Sequence, residues 1–221
     1  MKLASKMMIT LALAALVAAA GCSKGINLST PKDTAKSMVG AVKSGDKAAF
    51  TQCFKASDDE KEFLGIMFDI MSKAVKLNSA IEKSYGADGL KKFKEVAGSK
   101  ESGMSASLDV PTDQELDKLE VKIDGDKATC TLPGDAKPMP MVKVDNKWLI
   151  SMGEEKNLPP KGPERDQALK MLSMFSAPMD KTLAKVGKSG ETPASLAATY
   201  KTEMGAAMFG IGAPKTDNQG N

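Results

Sequence analysis

Histidine is missing from all 221 residues. With it go the usual general base, the usual metal ligand and every catalytic triad built on imidazole. Arginine is almost missing as well: Arg165 stands alone among 31 basic residues. The guanidinium fork is what reads phosphates and base edges, so a surface made basic by lysine alone gives no reason to expect a nucleic-acid partner. Aromatic residues make up 5% of the chain, with Trp148 the one tryptophan. Long apolar runs are also lacking. The longest, Met7 to Ala20, is broken by Thr10 and is shorter than the roughly 20 residues that span a bilayer.

What that run has is the layout of a secretory signal: Lys2 and Lys6 ahead of it and small residues behind it. Residues 1–21 are expected to be removed. This takes two lysines and leaves 29 basic against 28 acidic residues, a charge near +1 with no pull toward a polyanion. The sequence Ala19-Ala20-Gly21-Cys22 resembles the lipobox of bacterial lipoproteins. The resemblance implies that Cys22 becomes the lipid-bearing N-terminus, that the partner is a membrane, and that the address is the cell envelope. With Ser23 rather than aspartate next, it implies the periplasmic face of the outer membrane in a cell with two membranes.

The remaining length suits an α+β fold with an appendage. Residues 22–29 read as a tether. In Thr30-Pro31-Lys32-Asp33, a capping threonine, a first-turn proline and an acid at the positive dipole end open a helix that Gly45 closes. Asp46 caps a second helix carrying Phe50, Cys53 and Phe54. Ser57 opens a third, longer helix whose Phe63, Met67, Ile70, Ala74, Leu77 and Ile81 fall on one stripe. A further helix is expected from Gly86-Ala87-Asp88 to Gly98, and then a loop-rich stretch with one edge strand at Ser105 to Val110.

From Leu119 to Ile150 the period changes to two. Leu119, Val121 and Ile123, then Ala128, Cys130 and Leu132, then Met139 and Met141, and finally Val142, Val144, Trp148 and Ile150 alternate with polar residues. Asp124-Gly125 and Asp145-Asn146 stand at the turns. This is an antiparallel meander of about four strands with one face on a core. Residues 153–163 read as a linker. Residues 164–209 read as a helical hairpin, kinked at Pro178 and restarted at Thr192-Pro193, whose apolar stripes need the main body for cover; residues 210–221 read as a polar tail.

The phrases TAKSMVGAVKSGDKAAF, DGDKATCTL and MVKVDNKWLIS are similar to bacterial lipoproteins with the cone-shaped fold of nuclear transport factor two. The resemblance, over residues 30–152, implies N-terminal helices on a curved antiparallel sheet, with the tryptophan beneath them and a pocket on the concave face. Relatives of this shape include enzymes and simple binders, and the shape alone does not choose between them.

An enzyme of this shape needs an Asp or Glu base inside the cone. Glu120 and Lys122 alternate out of phase with the apolar residues and Asp69 lies off the helix stripe, so no catalytic residue is assigned. Methionine is plentiful, with Met139, Met141, Met171, Met174 and Met179 concentrated late in the chain. Thioethers suit Cu(I), yet no third ligand stands at a metal spacing, so core filling is the stronger reading and no metal or cofactor is expected. Cys53 and Cys130 both fall on apolar faces, as buried thiols or as a disulfide pair. Two functions remain. The chain is a binding module for an apolar small molecule, walled by Phe63, Met67, Ile70, Met139, Met141 and Trp148, or it is an interaction module docking another envelope protein through its C-terminal helices.

Overall fold

A computed structural model describes residues 25–98, 110–134, 138–152 and 161–209. The expected signal segment, Cys22, nearly all of the expected edge strand, most of the linker and the tail lie outside these residues.

Helix α1, Pro31–Ser44, begins at Thr30, whose hydroxyl accepts from the Asp33 amide, and ends at Gly45 with φ 76°. That left-handed value is open to glycine without the Cβ penalty, which is why the helix stops there. Asp46 caps α2, Lys47–Gln52. Cys53 ends α2, and Phe54–Lys55 form a two-residue strand, β1, where the sequence had read helix. Helix α3, Asp58–Ala97, opens with a reciprocal capping box between Ser57 and Glu60. It covers both of the helices expected between Ser57 and Gly98, with the junction surviving as a break at Gly86 (φ 74°, ψ 177°).

A short helix, α4 (Asp113–Asp117), occupies part of the stretch read as loop. Its signal is the Thr112-x-x-Glu115 capping box, both halves of which form. Lys32 donates to the Asp117 carbonyl, and Lys36 and Lys43 pair with Asp117 and Asp113, pinning α4 along α1.

The meander forms as β2 (Glu120–Asp124), β3 (Lys127–Thr131), β4 (Met139–Val144) and β5 (Lys147–Ser151). Among the described residues the sheet has five strands rather than about four, in the order β1-β5-β4-β3-β2, and is mixed because β1 runs parallel to β5. Asp145 and Asn146, with φ 48° and 61°, make the positive-φ turn that a right-twisted hairpin requires. One expected facing is reversed. Strand β4 runs unbroken from Met139, so Met141 and Val142 take opposite faces; Met141 is buried beside Ile150, and Val142 and Val144 lie on the other side.

Among the described residues, three apolar clusters form the core. The first joins the sheet residues Ala128, Cys130, Met141, Trp148 and Ile150 to Ala35 and Val39 of α1 and to Leu116 and Leu119 at α4. The second packs Ala41, Val42 and Phe50 against Leu64 and Phe68 of α3. Phe50 lies 4.9 Å from Phe54 and 5.4 Å from Phe68, ring centre to ring centre, distances typical of tilted aromatic pairs. The third is wholly helical, with Leu77, Ile81 and Phe93 of α3 packed against C-terminal residues. It gives the C-terminal helices the cover from the main body that their apolar stripes need. The C-terminal part is three helices, α5 (Pro163–Met174), α6 (Ser176–Leu183) and α7 (Pro193–Phe209). Its cover comes from the far half of α3 through Met179, Leu196, Ala197, Tyr200 and Met204. The break falls at Phe175, three residues before Pro178, because a proline ring collides with the carbonyl four residues earlier in a continuous helix.

The tether is also shorter than the sequence suggested. The Trp148 amide donates to the Leu28 carbonyl at 2.8 Å, and the Ser37 hydroxyl both accepts from the Asn27 amide and donates to its carbonyl at 2.9 Å. Ile26 and Leu28 pack against the sheet core. Residues 26–29 are therefore part of the body.

Candidate functional site

The six residues expected to wall a pocket do not come together. Met141 and Trp148 are buried in the sheet cluster, with Met139 against its side. Phe63, Met67 and Ile70 are half-buried on α3, and Ile70 packs instead against the helical cluster. The stripe drawn through Phe63 and Met67 is one residue out of phase: Leu64 and Phe68 are the buried positions in the first turns, and Ala74, Leu77 and Ile81 in the later ones. The shift arises because the first half of α3 packs on α1 and α2 and the second half on α6 and α7, so no single face is buried throughout. The space over Trp148 and Met141 is filled by Ala35 and Val39 of α1 and by Leu116 and Leu119.

Thr34 fixes that cover. Its buried hydroxyl donates to the Trp148 carbonyl at 2.8 Å and to the Thr30 carbonyl at 3.1 Å. Because β5 is held by Thr34, by Leu28 and by the Ile150 amide on the Cys53 carbonyl, the strand carrying Trp148 is anchored on its outer edge without a full neighbouring strand.

Cys53 and Cys130 share the sheet cluster, both buried and both free thiols. The Cys53 thiol donates to the Ala49 carbonyl at 3.4 Å, and the Cys130 thiol approaches the Met141 sulfur at 3.6 Å. Burial pushes Cys53 up to about 12 and Cys130 up to about 11. They are neutral core residues at ordinary pH, since the thiolate is the nucleophile. Among the described residues no group of three or more His, Cys, Asp or Glu side chains could hold a metal ion. Cys22 lies outside the described residues.

A concavity among the described residues lies elsewhere. A groove of about 430 Å³ runs between residues 25–27 and the outer side of α1, over Lys36, Gly40 and Ser44 and on to Asp46 and Ala49. Its charged groups are already engaged. Asp33 accepts from the Thr30 and Ser29 hydroxyls, and Lys36 meets Asp117 at 2.6 Å. The hydrogen bond that Lys36 donates to Asp117 raises the Lys36 pKa and lowers that of Asp117. Both side chains are solvated, so this pair tunes the surface and adds little stability.

Large apolar side chains are exposed on β2, at Ile123, and on α5. Met171 is 56% exposed and Met174 37%. The start of α5 is fixed firmly: the buried Arg165 side chain donates to the Asp59 carbonyl and lies 3.7 Å from Glu62, while Lys161 meets Asp59 at 2.6 Å. Sequence reasoning missed this role for the lone arginine. Its signal was present, since one arginine among thirty lysines is a candidate for a position where a fork of donors must be satisfied.

No family model, curated protein or solved structure matches the chain. No helix among the described residues is long and apolar enough to cross a membrane.

Proposed function

We propose that the chain is a cell-envelope lipoprotein, held on the membrane through an acylated Cys22, that acts as a non-catalytic docking module for another envelope protein. The observation that carries the docking role is the exposure of Met171 and Met174 on a helix whose start is pinned to α3 by Arg165. Flexible, polarisable thioethers on a fixed frame suit an adaptable protein contact. The packing of Ala35, Val39, Leu116 and Leu119 around Trp148 and Met141 supports docking above ligand capture in the cone. The lie of α1 across the sheet with Trp148 beneath it supports relating this half of the chain to the cone-shaped lipoproteins.

Since Ile26 is already packed on the body, at most four chain steps separate it from Cys22, about 14 Å fully extended. The α/β body would then sit directly on the membrane surface. The anchor is tested by Cys22→Ser, which is expected to abolish acyl labelling and release the protein from membranes; unchanged membrane association would sink it. The docking role is tested with a photo-reactive amino acid at position 171 in living cells. A discrete adduct that disappears with Met174→Glu is expected, and a labelling pattern equal to that from exposed Lys147 refutes it.

The groove beside residues 25–27 favours a second reading, small-molecule binding. Native mass spectrometry of the purified protein decides it, with a co-purifying mass lost on Gly40→Trp as the positive result.

A further inference from the structure

Oxidants attack a protein first at exposed sulfur. In this chain the thiols of Cys53 and Cys130 are buried, and so are the thioethers of Met141, Met179 and Met204. Met38, Met67, Met71, Met139 and Met152 are half-buried. Among the described side chains the exposed sulfurs are those of Met171 and Met174. They lie three residues apart in α5, on one face of that helix. The other face holds the helix in place, with Leu169 buried and the Arg165 side chain donating to the Asp59 carbonyl.

We propose that Met171 and Met174 form an oxidation site, converted to sulfoxides by a hypohalous acid ahead of the other described methionines, and that this conversion releases the protein docked on α5. The release rests on the docking role of α5; the oxidation site does not. With hypochlorous acid, the sulfur lone pair attacks chlorine: an S–Cl bond forms, the O–Cl bond breaks and hydroxide leaves. Water then displaces chloride as the S–O bond forms, one of its protons neutralising the hydroxide and the other passing to solvent. Sulfur is oxidised by two electrons and chlorine is reduced to chloride. Because both sulfurs already face water, the new oxygen is solvated and the core is untouched, whereas at Met141 or Met179 it would lie among buried apolar side chains. In a docked contact the same change is unfavourable, since a thioether that met an apolar surface becomes a polar acceptor that must be desolvated. A sulfoxide on an exposed helix face is also open to a methionine sulfoxide reductase, which makes the change reversible.

Limiting hypochlorous acid added to the full chain in detergent is expected to oxidise it chiefly at positions 171 and 174. The tryptic peptide Met171–Lys181 carries both, together with buried Met179, so tandem mass spectrometry reads two sites and an internal control in one fragment. In urea all three should react alike, and the natively oxidised protein should keep its parent's melting temperature. In cells, a photo-reactive amino acid at exposed Gln167, on the same face of α5, should give a discrete adduct. Oxidant should reduce it about tenfold for each sulfoxide placed in the contact. The adduct should survive oxidant when Met171→Leu and Met174→Leu are combined, because leucine keeps the apolar volume and has no sulfur. Native oxidation of Met179 or of the half-buried methionines as fast as Met171 would overturn the site. An adduct indifferent to oxidant, or lost equally from the leucine variant, would overturn the release. No adduct before oxidation would sink the docking role and the release with it, while the peptide map still decides the site.

Discussion

Tyr200 lies in the helical cluster beside Phe93, their ring centres 6.1 Å apart, and its buried hydroxyl has no hydrogen-bond partner among the described residues. Replacing it with phenylalanine keeps the ring and removes the orphaned oxygen. A buried polar group left unsatisfied costs about 1–3 kcal/mol, so Tyr200→Phe is expected to stabilise the protein at neutral pH by about 1 kcal/mol or more. For a chain of this size that raises the melting temperature by about 2–4 °C per kcal/mol. The effect grows at high pH. Burial raises the Tyr200 pKa from 10.0 to about 12. Below pH 10 the phenol is neutral whether folded or not; between 10 and about 12 the unfolded chain ionises first, so stability falls as pH rises. Tyrosine should thus cost the native protein up to about 3 kcal/mol by pH 12, and phenylalanine should spare it. Cys53 and Cys130 erode stability in the same direction above pH 9, but they are common to both proteins, so the difference isolates Tyr200. Urea denaturation at pH 7, 9, 10.5 and 11.5 measures it. A variant less stable than its parent at pH 7, with a parallel alkaline limb, would refute the reasoning, because it would mean that the hydroxyl is satisfied in the folded protein.

Arg165→Ala should remove the donor to the Asp59 carbonyl and the neighbour of Glu62, at a cost of about 1–3 kcal/mol by chemical denaturation. If that role is specific to the fork, Arg165→Lys should recover less than half of the loss. At Gly86 the combination φ 74°, ψ 177° belongs essentially to glycine, so Gly86→Ala should cost about 1–3 kcal/mol, and a melting temperature equal to the parent's would contradict the break in α3. The buried thiols should react with an aromatic disulfide reagent only at the unfolding rate, and a fast phase at pH 8 in the native protein would place Cys53 or Cys130 nearer the surface.

Helix starts were legible because capping is chemistry between residues three apart: Thr30 with Asp33, Asp46 with Ala49 and Ser57 with Glu60 all form as read. Thr112 with Glu115 carried the same signal, and α4 went unread only because its surroundings are rich in loop-forming residues. The hairpins were legible from the two-residue period and from residues that tolerate positive φ, such as Asn146 and Gly125. Strand β1 was not, since two residues carry no period. Its pairing exists because Cys53 and Phe54 lie against β5. The residues expected to wall a pocket were divided between clusters for a related reason. Phe63, Met67 and Ile70 obey a helical repeat, but such a repeat says only that a face is apolar and never which neighbour covers it.

The amino-acid order alone determined the local elements, the α+β class and the lack of imidazole chemistry, because caps, periods and residue types act over a few residues. Only the tertiary structure decided how the apolar faces were shared. Helix α1 and the short α4 closed over Trp148, the C-terminal helices turned to the far half of α3, and Met171 and Ile123 were left exposed. Burial is non-directional, so which faces meet is settled by chain geometry and packing across the whole molecule.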